Sequence, residues 1–271
     1  MAAGDHNDAY RIYREHAERM AIEAGALLTA AYGHVEAREK GPGDLVTDAD
    51  QASQQAIGQS IARAFPDHTL LAEEDGVTPD PSKPWRWVVD PLDGTTNFAH
   101  GFPLWCVSIA LEHEGRLVVG VVHAPLLGTT YSASLGRGTT VNRQPLRVSR
   151  VERLTSSLIS AGLPANFGPD AERQLAYMGR FSTGTHSLRR TGSSAWNLAQ
   201  VAAGGCDVFY ATSISPWDVA AGVLLVHEAG GLVTHMDGAP YDLYGPGILA
   251  SNGRVHAEAV RAVGEAWPRS V

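Results

Sequence analysis

Patterns typical of β-strands and of α-helices alternate along almost the whole chain. Short apolar runs predict strands near 69–73, 86–90, 105–113, 117–123, 129–134, 157–161, 188–191, 207–210, 232–235 and 248–250. Apolar residues at helical spacing predict helices over 8–32, 171–181, 194–203, 216–229 and 254–266, and a further helix that begins at Thr47–Asp50 and stops before Pro66. Strands and helices interleaved in this way predict an α/β fold of layered sheets and helices.

The length and charge of the chain limit what it can bind. Its 271 residues fit a single domain of two packed lobes, which we place at about residues 1–150 and 151–271. The formal net charge of −8 lacks the basic field that a general nucleic-acid or anionic-membrane binder needs. We therefore expect no nucleic acid and no membrane among its partners.

The two cysteines and the N-terminus bear on the cellular compartment. Cys106 and Cys206 lie in apolar stretches and fit buried thiols of a reducing compartment. The charged residues before Glu23 leave no apolar segment of the kind that a signal peptide needs. These two features predict a cytoplasmic protein.

The segment around residue 90 concentrates residues able to bind a metal ion. An apolar strand, Trp87–Val89, leads into Asp90-Pro91-Leu92-Asp93. Because proline removes a backbone donor, we expect the chain to turn at the end of this strand, with Asp90, Asp93 and the Leu92 carbonyl facing a common centre. Hard cations such as Mg²⁺ prefer oxygen ligands of this kind.

Gly94-Thr95-Thr96 follows directly and predicts the start of a short helix. The backbone N–H groups after Gly94 would favour a phosphate, because a helix begins with unsatisfied donors and a positive dipole end. An Asp-Gly turn followed by a capped helix, with no ligand, is the alternative.

Three more acidic positions are candidate partners of this segment. Glu73 and Glu74 end a predicted strand, so one should face the cleft and the other solvent, although a solvated turn is the alternative. Asp218 lies in the first turn of the predicted helix 216–229, where it could instead only complement the helix dipole. Asp50 stands at a capping position of the second helix.

Together these motifs resemble the inositol monophosphatase family of magnesium-dependent phosphomonoesterases. The resemblance runs from about residue 8 to 260 and rests on Glu73-Glu74, on Asp90–Phe98, and on Trp217–Gly222 with Glu228–Gly231 downstream. It implies a single phosphatase domain with the layered α-β-α-β-α sandwich of inositol monophosphatase and fructose-1,6-bisphosphatase-like proteins. It also implies a homodimer and inhibition by lithium.

The resemblance assigns metal ligands residue by residue. It implies that Glu73, Asp90 and the Leu92 carbonyl bind one Mg²⁺, and that Asp90, Asp93 and Asp218 bind a second. A third, weaker ion would lie near Glu73, giving two to three Mg²⁺ per active site. Asp50 matches a carboxylate that supports this ion through water, and its alternative role is to cap the second helix.

The resemblance also assigns catalytic and substrate contacts. Thr95 and Glu73 would orient and activate the attacking water, and Asp90 and Asp93 would complete the catalytic set. The substrate-binding positions are Asp93, Gly94, Thr95, Gly192, Ser193, Ser194, Ala211 and Asp218. For Gly192-Ser193-Ser194, a turn with a helix cap is the alternative.

One substrate position departs from the family pattern. Inositol-hydrolysing members carry a glutamate seven residues before the helix aspartate, and this chain has Ala211 there. Because alanine cannot accept hydrogen bonds from substrate hydroxyls, we expect relaxed or redirected specificity.

The substrate is therefore predicted as a small phosphorylated polyol or amino-alcohol. We rank inositol 1-phosphate or a related sugar phosphate first and histidinol phosphate second. Fructose 1,6-bisphosphate and adenosine 3′,5′-bisphosphate are substrates of other proteins of this architecture. A non-catalytic binding or regulatory protein on the same fold is the alternative of a different class. It is disfavoured because Glu73, Asp90, Asp93, Thr95 and Asp218 are all present.

Overall fold

The computed structural model describes residues 4–34, 37–41, 44–74, 83–164 and 168–267. Residues 1–3 and 268–271, at the two ends of the predicted domain, lie outside the described residues. The helices in this part of the chain are α1 (Gly4–Ala31), α2 (Asp48–Ala64), α3 (Thr95–Ala99), α4 (Ala171–Gly184), α5 (Ser194–Ala202), α6 (Pro216–Glu228) and α7 (His256–Ala266).

The strands form one small and two large sheets. β1 (Arg38–Gly41) pairs with β2 (Asp44–Val46) in an antiparallel ribbon. The seven-stranded sheet has the order β3 (Thr69–Ala72), β4 (Trp85–Asp93), β5 (Cys106–His113), β6 (Arg116–Ala124), β7 (Thr129–Ser134), β8 (Thr139–Val141) and β9 (Gln144–Leu146). In it, β3 and β4 are parallel and every other pair is antiparallel.

The five-stranded sheet is mixed. Its order is β11 (Ser187–Arg189), β10 (Leu158–Gly162), β12 (Val208–Ala211), β14 (Ile248–Ser251) and β13 (Leu232–Thr234). β10 runs parallel to β11 and β12, while β14 is antiparallel to both of its neighbours.

Helices and sheets stack in five layers, which confirms the predicted α/β class. α1 and α2 cover one face of the seven-stranded sheet, α5 and α6 lie between the two large sheets, and α4 and α7 cover the outer face of the five-stranded sheet. Three apolar cores fill the spaces between these layers. Burial of apolar surface in these cores is the main force that holds the layers together.

The two large sheets come from different halves of the chain, but α6, a helix of the second half, packs against the sheet of the first half. The seven-stranded sheet ends at Leu146 and the five-stranded sheet begins at Leu158, on either side of the predicted lobe boundary near residue 150. α6 belongs to the second half and packs against β4, β5, β6 and β7 of the first sheet. This packing places Asp218, in the first turn of α6, close to the end of β4.

Most predicted elements appear with shifts of a few residues at their ends. The predicted strand 188–191 is only Ser187–Arg189, and β1, β2, β8 and β9 are not predicted at all. The last three of these contain three residues each, too few for alternation to be visible in the sequence. Among the described helices, none combines the length and apolarity needed to cross a membrane.

Candidate active site

A cavity of about 990 Å³ brings together most of the predicted site residues. Its lining includes Glu73, Gly94, Thr95, Gly192, Ser193, Ser194 and Asp218. Asp90 and Asp93 are buried, at 1% and 7% exposure, and form a cluster of carboxylates with Asp218. Ala211 is the one predicted substrate position that neither lines this cavity nor contributes to the carboxylate cluster.

An irregularity in β4 places Asp90 and Asp93 on the same side of the strand. Asp90 pairs with Ser108 and Asp93 pairs with Cys106, so three steps along β4 match two along β5. In a regular strand, residues three apart would face opposite sides, and the extra residue corrects this. The turn predicted at the end of the strand is wrong: β4 continues through Pro91, which is tolerated at a bulge because its missing N–H is not needed there.

Asp90, Asp93 and Asp218 form the centre of the site. Each offers a carboxylate oxygen, and these oxygens lie within 4.8 Å of one another. Burial, followed by repulsion from Glu73 and then Asp93, raises the pKa of Asp90 well above its usual value. Burial and repulsion from Asp93 raise the pKa of Asp218 to about 8. Both effects arise because charged carboxylates are crowded together away from water.

Asp93 is held by the beginning of α5. Its Oδ2 accepts hydrogen bonds from the Ser193 hydroxyl at 2.5 Å and the Ala195 N–H at 2.8 Å, and its Oδ1 accepts from the Ser194 N–H at 3.1 Å. Burial raises the pKa of Asp93, while these hydrogen bonds oppose that rise. The predicted helix cap at Ser193 is present, since its hydroxyl also accepts from the Trp196 N–H.

Asp50 links the beginning of α2 to Thr95. Its Oδ2 accepts from the backbone N–H and the hydroxyl of Thr47, which completes a capping box. Its Oδ1 lies 3.0 Å from the Thr95 hydroxyl oxygen, which is also 3.0 Å from the Leu92 carbonyl oxygen. Capping and a role beside the site were predicted as alternatives, and the geometry allows both at once.

Two glycines let the loops before α3 and α5 approach each other. Gly94 has φ +98° and directly precedes α3, and a Cβ there would lie 3.4 Å from the Gly192 carbonyl oxygen. Gly192 has φ +84°, and a Cβ there would lie 2.9 Å from the Asn97 side chain. The Asn97 amide donates to the carbonyls of Leu104 and Thr191, which ties the two loops together. Positive φ and close backbone approach both favour glycine at these positions.

Glu73 and Glu74 follow the last residue of β3 and lie in a turn, so strand alternation does not govern their direction. Glu73 lines the cavity. The backbone N–H of Glu74 donates to the side chain of Gln54 on α2 at 2.9 Å. Of the two glutamates, Glu73 is therefore the one that faces the cleft, and the turn after β3, not strand alternation, sets its direction.

Asp218 occupies the first turn of α6 as predicted. Its Oδ2 accepts from the Ser215 N–H at 3.1 Å, as part of a capping box between these two residues. The carboxylate therefore serves the helix start and the carboxylate cluster together.

Ala211, the predicted substrate position that departs from the family pattern, lies outside the described lining of the cavity. This residue ends β12, has no exposed surface, and pairs with Gly162 and Ile248 on the neighbouring strands. Its methyl group packs in the core between the two large sheets, whereas Gly162 lines the cavity. Any side-chain contact with a substrate from this end of β12 would therefore come from neighbours of Ala211.

Two supporting residues were missed by sequence reasoning. The Ser53 hydroxyl of α2 donates to the Pro91 carbonyl at 2.9 Å and holds the bulge of β4. The buried thiol of Cys106 lies 3.5 Å from Asp93 Oδ2 and from the Ser193 hydroxyl oxygen. No local pattern marks either contact, because each joins distant parts of the chain.

The donor set suits a hard divalent cation. The clustered donors are the carboxylate oxygens of Asp90, Asp93 and Asp218, with no nitrogen or sulfur donor among them. A cation would also relieve the repulsion that raises the pKa of Asp90 and Asp218. These residues therefore fit the predicted magnesium site.

Comparisons with known proteins agree over nearly the full length. The model of the inositol monophosphatase family matches residues 10–267. An inositol-1-monophosphatase of Synechocystis sp. is 40% identical over 251 residues, covering 92% of this chain and 88% of that protein. The Nus factor SuhB of Escherichia coli (strain K12) is 38% identical over 242 residues, covering 88% and 91%. A solved inositol monophosphatase from Anabaena (Nostoc) sp. PCC 7120 superposes with a TM-score of 0.84 at 37% identity, covering 96% of this chain and 98% of that one.

Proposed function

Because the chain belongs to the inositol monophosphatase family, we propose that it is a magnesium-dependent phosphatase that hydrolyses a small phosphate monoester with an activated water molecule. The observation that carries the proposal is the convergence of Asp90, Asp93 and Asp218 beside a cavity of about 990 Å³. Phosphate monoesters hydrolyse extremely slowly without a catalyst, so a site for them must neutralise charge and generate a nucleophile.

The carboxylates would bind two Mg²⁺ ions, with Asp90 a ligand to both. Glu73, Asp90 and the Leu92 carbonyl would hold one Mg²⁺, and Asp90, Asp93 and Asp218 would hold a second. When bound, Mg²⁺ supplies positive charge for the phosphate ester and lowers the pKa of the attacking water. A third ion would lie near Glu73, with Asp50 close by.

Thr95 is suited to orient the attacking water. A hydroxyl has one hydrogen and two lone pairs, and the hydrogen of Thr95 is directed to Asp50 Oδ1 and the Leu92 carbonyl, each 3.0 Å away. Its lone pairs are therefore left to accept a hydrogen bond from water. Glu73, which lines the same cavity, would take a proton as that water attacks phosphorus and the bond between phosphorus and the alcohol oxygen breaks. The leaving oxygen would then take up a proton from solvent to form the alcohol, and Glu73 would return its own proton to solvent.

The wall of the cavity away from the carboxylates bears on the substrate. Among its described lining residues, the acidic ones are Glu73 and Asp218, which both belong to the metal side, while Arg190 is also part of the lining. A substrate amine would find no separate carboxylate here. This favours inositol 1-phosphate or a related polyol phosphate over histidinol phosphate, which stays the alternative.

Phosphate release from a substrate panel tests the proposal. The panel contains inositol 1-phosphate, glycerol 2-phosphate, fructose 1,6-bisphosphate, histidinol phosphate and adenosine 3′,5′-bisphosphate, each with and without Mg²⁺. We expect release that requires Mg²⁺, is greatest for inositol 1-phosphate, and falls at least a hundredfold in Asp93→Asn. Equal turnover with a chelator present would contradict the mechanism, and preference for histidinol phosphate would contradict the substrate.

A regulatory protein is the second candidate, and the match to a relative named a Nus factor favours keeping it. Absence of turnover on the whole panel, with Mg²⁺ binding intact by calorimetry, would support this candidate. The two roles can also coexist in one chain.

Family membership further leads us to propose a homodimer of two-lobed subunits in the cytoplasm. Light scattering coupled to size exclusion tests the dimer, since a monomer has a mass of 28.8 kDa. Fractionation of cells that express the protein tests the compartment.

A further inference from the structure

A second cavity, of about 670 Å³, lies between α4, α7 and the segment that follows β13. Its apolar lining includes Tyr177 of α4, Met236, Val263 of α7 and Trp267 at the end of α7. Small-molecule sites in proteins have this size and combine apolar walls with a few polar groups. No residue of the carboxylate cluster contributes to it.

Two neighbouring residues of α4 have buried polar atoms without a hydrogen-bond partner among the described residues, and one of them, Arg173, lines this cavity. Arg173 lines the cavity, and its Nη2 pairs with Asp170 at 2.7 Å, but its Nε is buried without a hydrogen-bond partner among the described residues. Gln174 is 1% exposed; its Nε2 donates to the Thr212 hydroxyl, while its Oε1 likewise lacks a partner. A buried donor without a partner costs free energy, so the Nε–H of Arg173, the residue of the two that lines the cavity, favours a ligand that accepts from it.

The chemistry of the lining selects the ligand. The unsatisfied Nε–H belongs to a guanidinium group, which binds a carboxylate more strongly than a neutral acceptor. His235, which also lines the cavity, is less able to bind a ligand, because both of its ring nitrogens already form hydrogen bonds with the backbone around Asp242 and Gly247. Asp237 also lines the cavity, and its Oδ1 accepts from the Ala239 N–H, so a ligand amine is the competing chemistry to test.

We propose that this cavity binds a small carboxylic acid with an aromatic body, and that the bound acid acts as an effector of the active site. The carboxylate pairs with Arg173, and the ring packs against Tyr177, Val263 and Trp267.

The effector role follows from the position of Thr212, and it rests on the proposed phosphatase function. Thr212 lines this second cavity, and the next three residues, Ser213–Ser215, line the active-site cavity and lead into Asp218. Gly247 packs against the same backbone, since a Cβ there would lie 2.8 Å from the Ala211 carbonyl oxygen and 3.0 Å from that of Thr212. A bound ligand that contacts Thr212 can therefore shift the adjoining segment, Ser213–Ser215, which positions Asp218.

Binding is measured first, by ligand-observed saturation-transfer NMR on the full chain, so that the result does not depend on turnover. The probes are phenylacetate, phenylacetamide and phenethylamine, which share a phenylmethyl body and carry an anionic, a neutral and a cationic polar end at pH 7. We expect saturable binding of phenylacetate, at least tenfold weaker binding of the other two, and a loss of at least tenfold in Arg173→Leu.

Two further variants separate the cavity from the surface. Val263→Trp fills the cavity and should abolish binding, whereas Leu232→Trp adds the same side chain at an exposed position and should not. Equal binding by all variants, no saturable binding, or a preference for phenethylamine would overturn the site. Arg173→Leu, at a half-buried position of α4, keeps the test decisive if Val263→Trp fails to fold.

The effector role is tested by adding phenylacetate to the phosphate-release assay. We expect KM or kcat for the best panel substrate to change at least twofold at saturating phenylacetate in the unmodified chain but not in Arg173→Leu. Binding without any such change would overturn the effector role. If no panel substrate is turned over, the proposed phosphatase function fails while the NMR result still decides the site.

Discussion

Asp50, Asp93 and Asp218 each hold the beginning of a helix as well as part of the site. Asp50 and Asp218 complete the capping boxes of α2 and α6, and Asp93 accepts from the first N–H groups of α5. Thus α5 and α6 begin at the cluster of acidic residues, where their positive dipole ends offset some of its negative charge, and α2 begins at Asp50, which contacts Thr95 of the site. At the scale of single residues, stability and binding chemistry depend on the same atoms.

Ser193→Ala tests this shared role. The change removes the hydroxyl that donates to Asp93 at 2.5 Å and that accepts from the Trp196 N–H at the start of α5. We expect a loss of about 1 kcal/mol in the free energy of unfolding, by urea denaturation, and a weaker affinity for Mg²⁺ by calorimetry. Ser194→Ala is the matched control, because Ser194 contributes only its backbone N–H to Asp93. Equal effects of the two changes would contradict the assignment.

The pKa of Asp218 gives a pH dependence of stability with a definite sign. Burial, with repulsion from Asp93, raises that pKa from 3.8 to about 8, so between these values the folded metal-free protein binds more protons than the unfolded chain. The contribution of Asp218 to stability is therefore complete below pH 4 and is lost as the pH rises toward 8.

Thermal unfolding in a chelator from pH 5 to 8 measures this dependence. We expect Tm to fall with rising pH in the unmodified chain, to fall less steeply in Asp218→Asn, and to recover at pH 8 when Mg²⁺ is added. A variant with the same slope as the unmodified chain would show that Asp218 does not titrate in this range.

At the scale of elements, contact between α5 and α6 sets where Asp93 and Asp218 meet. A Cβ at Gly222 of α6 would lie 2.4 Å from the Cβ of Leu198 on α5. Gly222 therefore allows the two helices to approach closely between the large sheets, and the carboxylates at their N-terminal ends follow that approach.

Gly222→Ala should separate these helices. We expect a loss of about 1–3 kcal/mol in the free energy of unfolding, because the added methyl group overpacks the contact, together with reduced Mg²⁺ affinity. The control is Gly179→Ala in α4, where a Cβ meets nothing within 4 Å. That change should instead stabilise by about 0.5–1 kcal/mol, since alanine favours a helix interior over glycine. Both free energies come from urea denaturation.

At the scale of the whole molecule, a loop of the second half is fastened to the first sheet. The Tyr244 hydroxyl donates to Glu112 of β5 at 2.7 Å and accepts from Arg86 of β4 at 2.8 Å. Burial raises the pKa of Tyr244 to about 12, so the phenol keeps the proton that it donates throughout the neutral range. This contact joins the two halves at a point away from α5 and α6.

Tyr244→Phe should weaken the connection between the halves. We expect a loss of about 1 kcal/mol in the free energy of unfolding, because Glu112 is buried and loses a hydrogen-bond donor. Arg254→Gln is the comparison, since it breaks the exposed ion pair with Glu152 and should cost no more than about 0.5 kcal/mol. If the two variants lose the same free energy in urea denaturation, the Tyr244 contact contributes nothing beyond an ordinary surface pair.

The sequence by itself determined the α/β alternation, most helix ends and the identity of the acidic residues. The capping boxes at Thr47 and Ser215 are visible in the sequence because each joins residues three positions apart. Tertiary structure alone decided the bulge that turns Asp90 and Asp93 to one side, the capture of Asp93 by α5, and the burial of Ala211. The Asp93–Ser193 bond, for example, joins residues 100 positions apart. Such contacts depend on how sheets and helices pack, which no local spacing of residue types encodes.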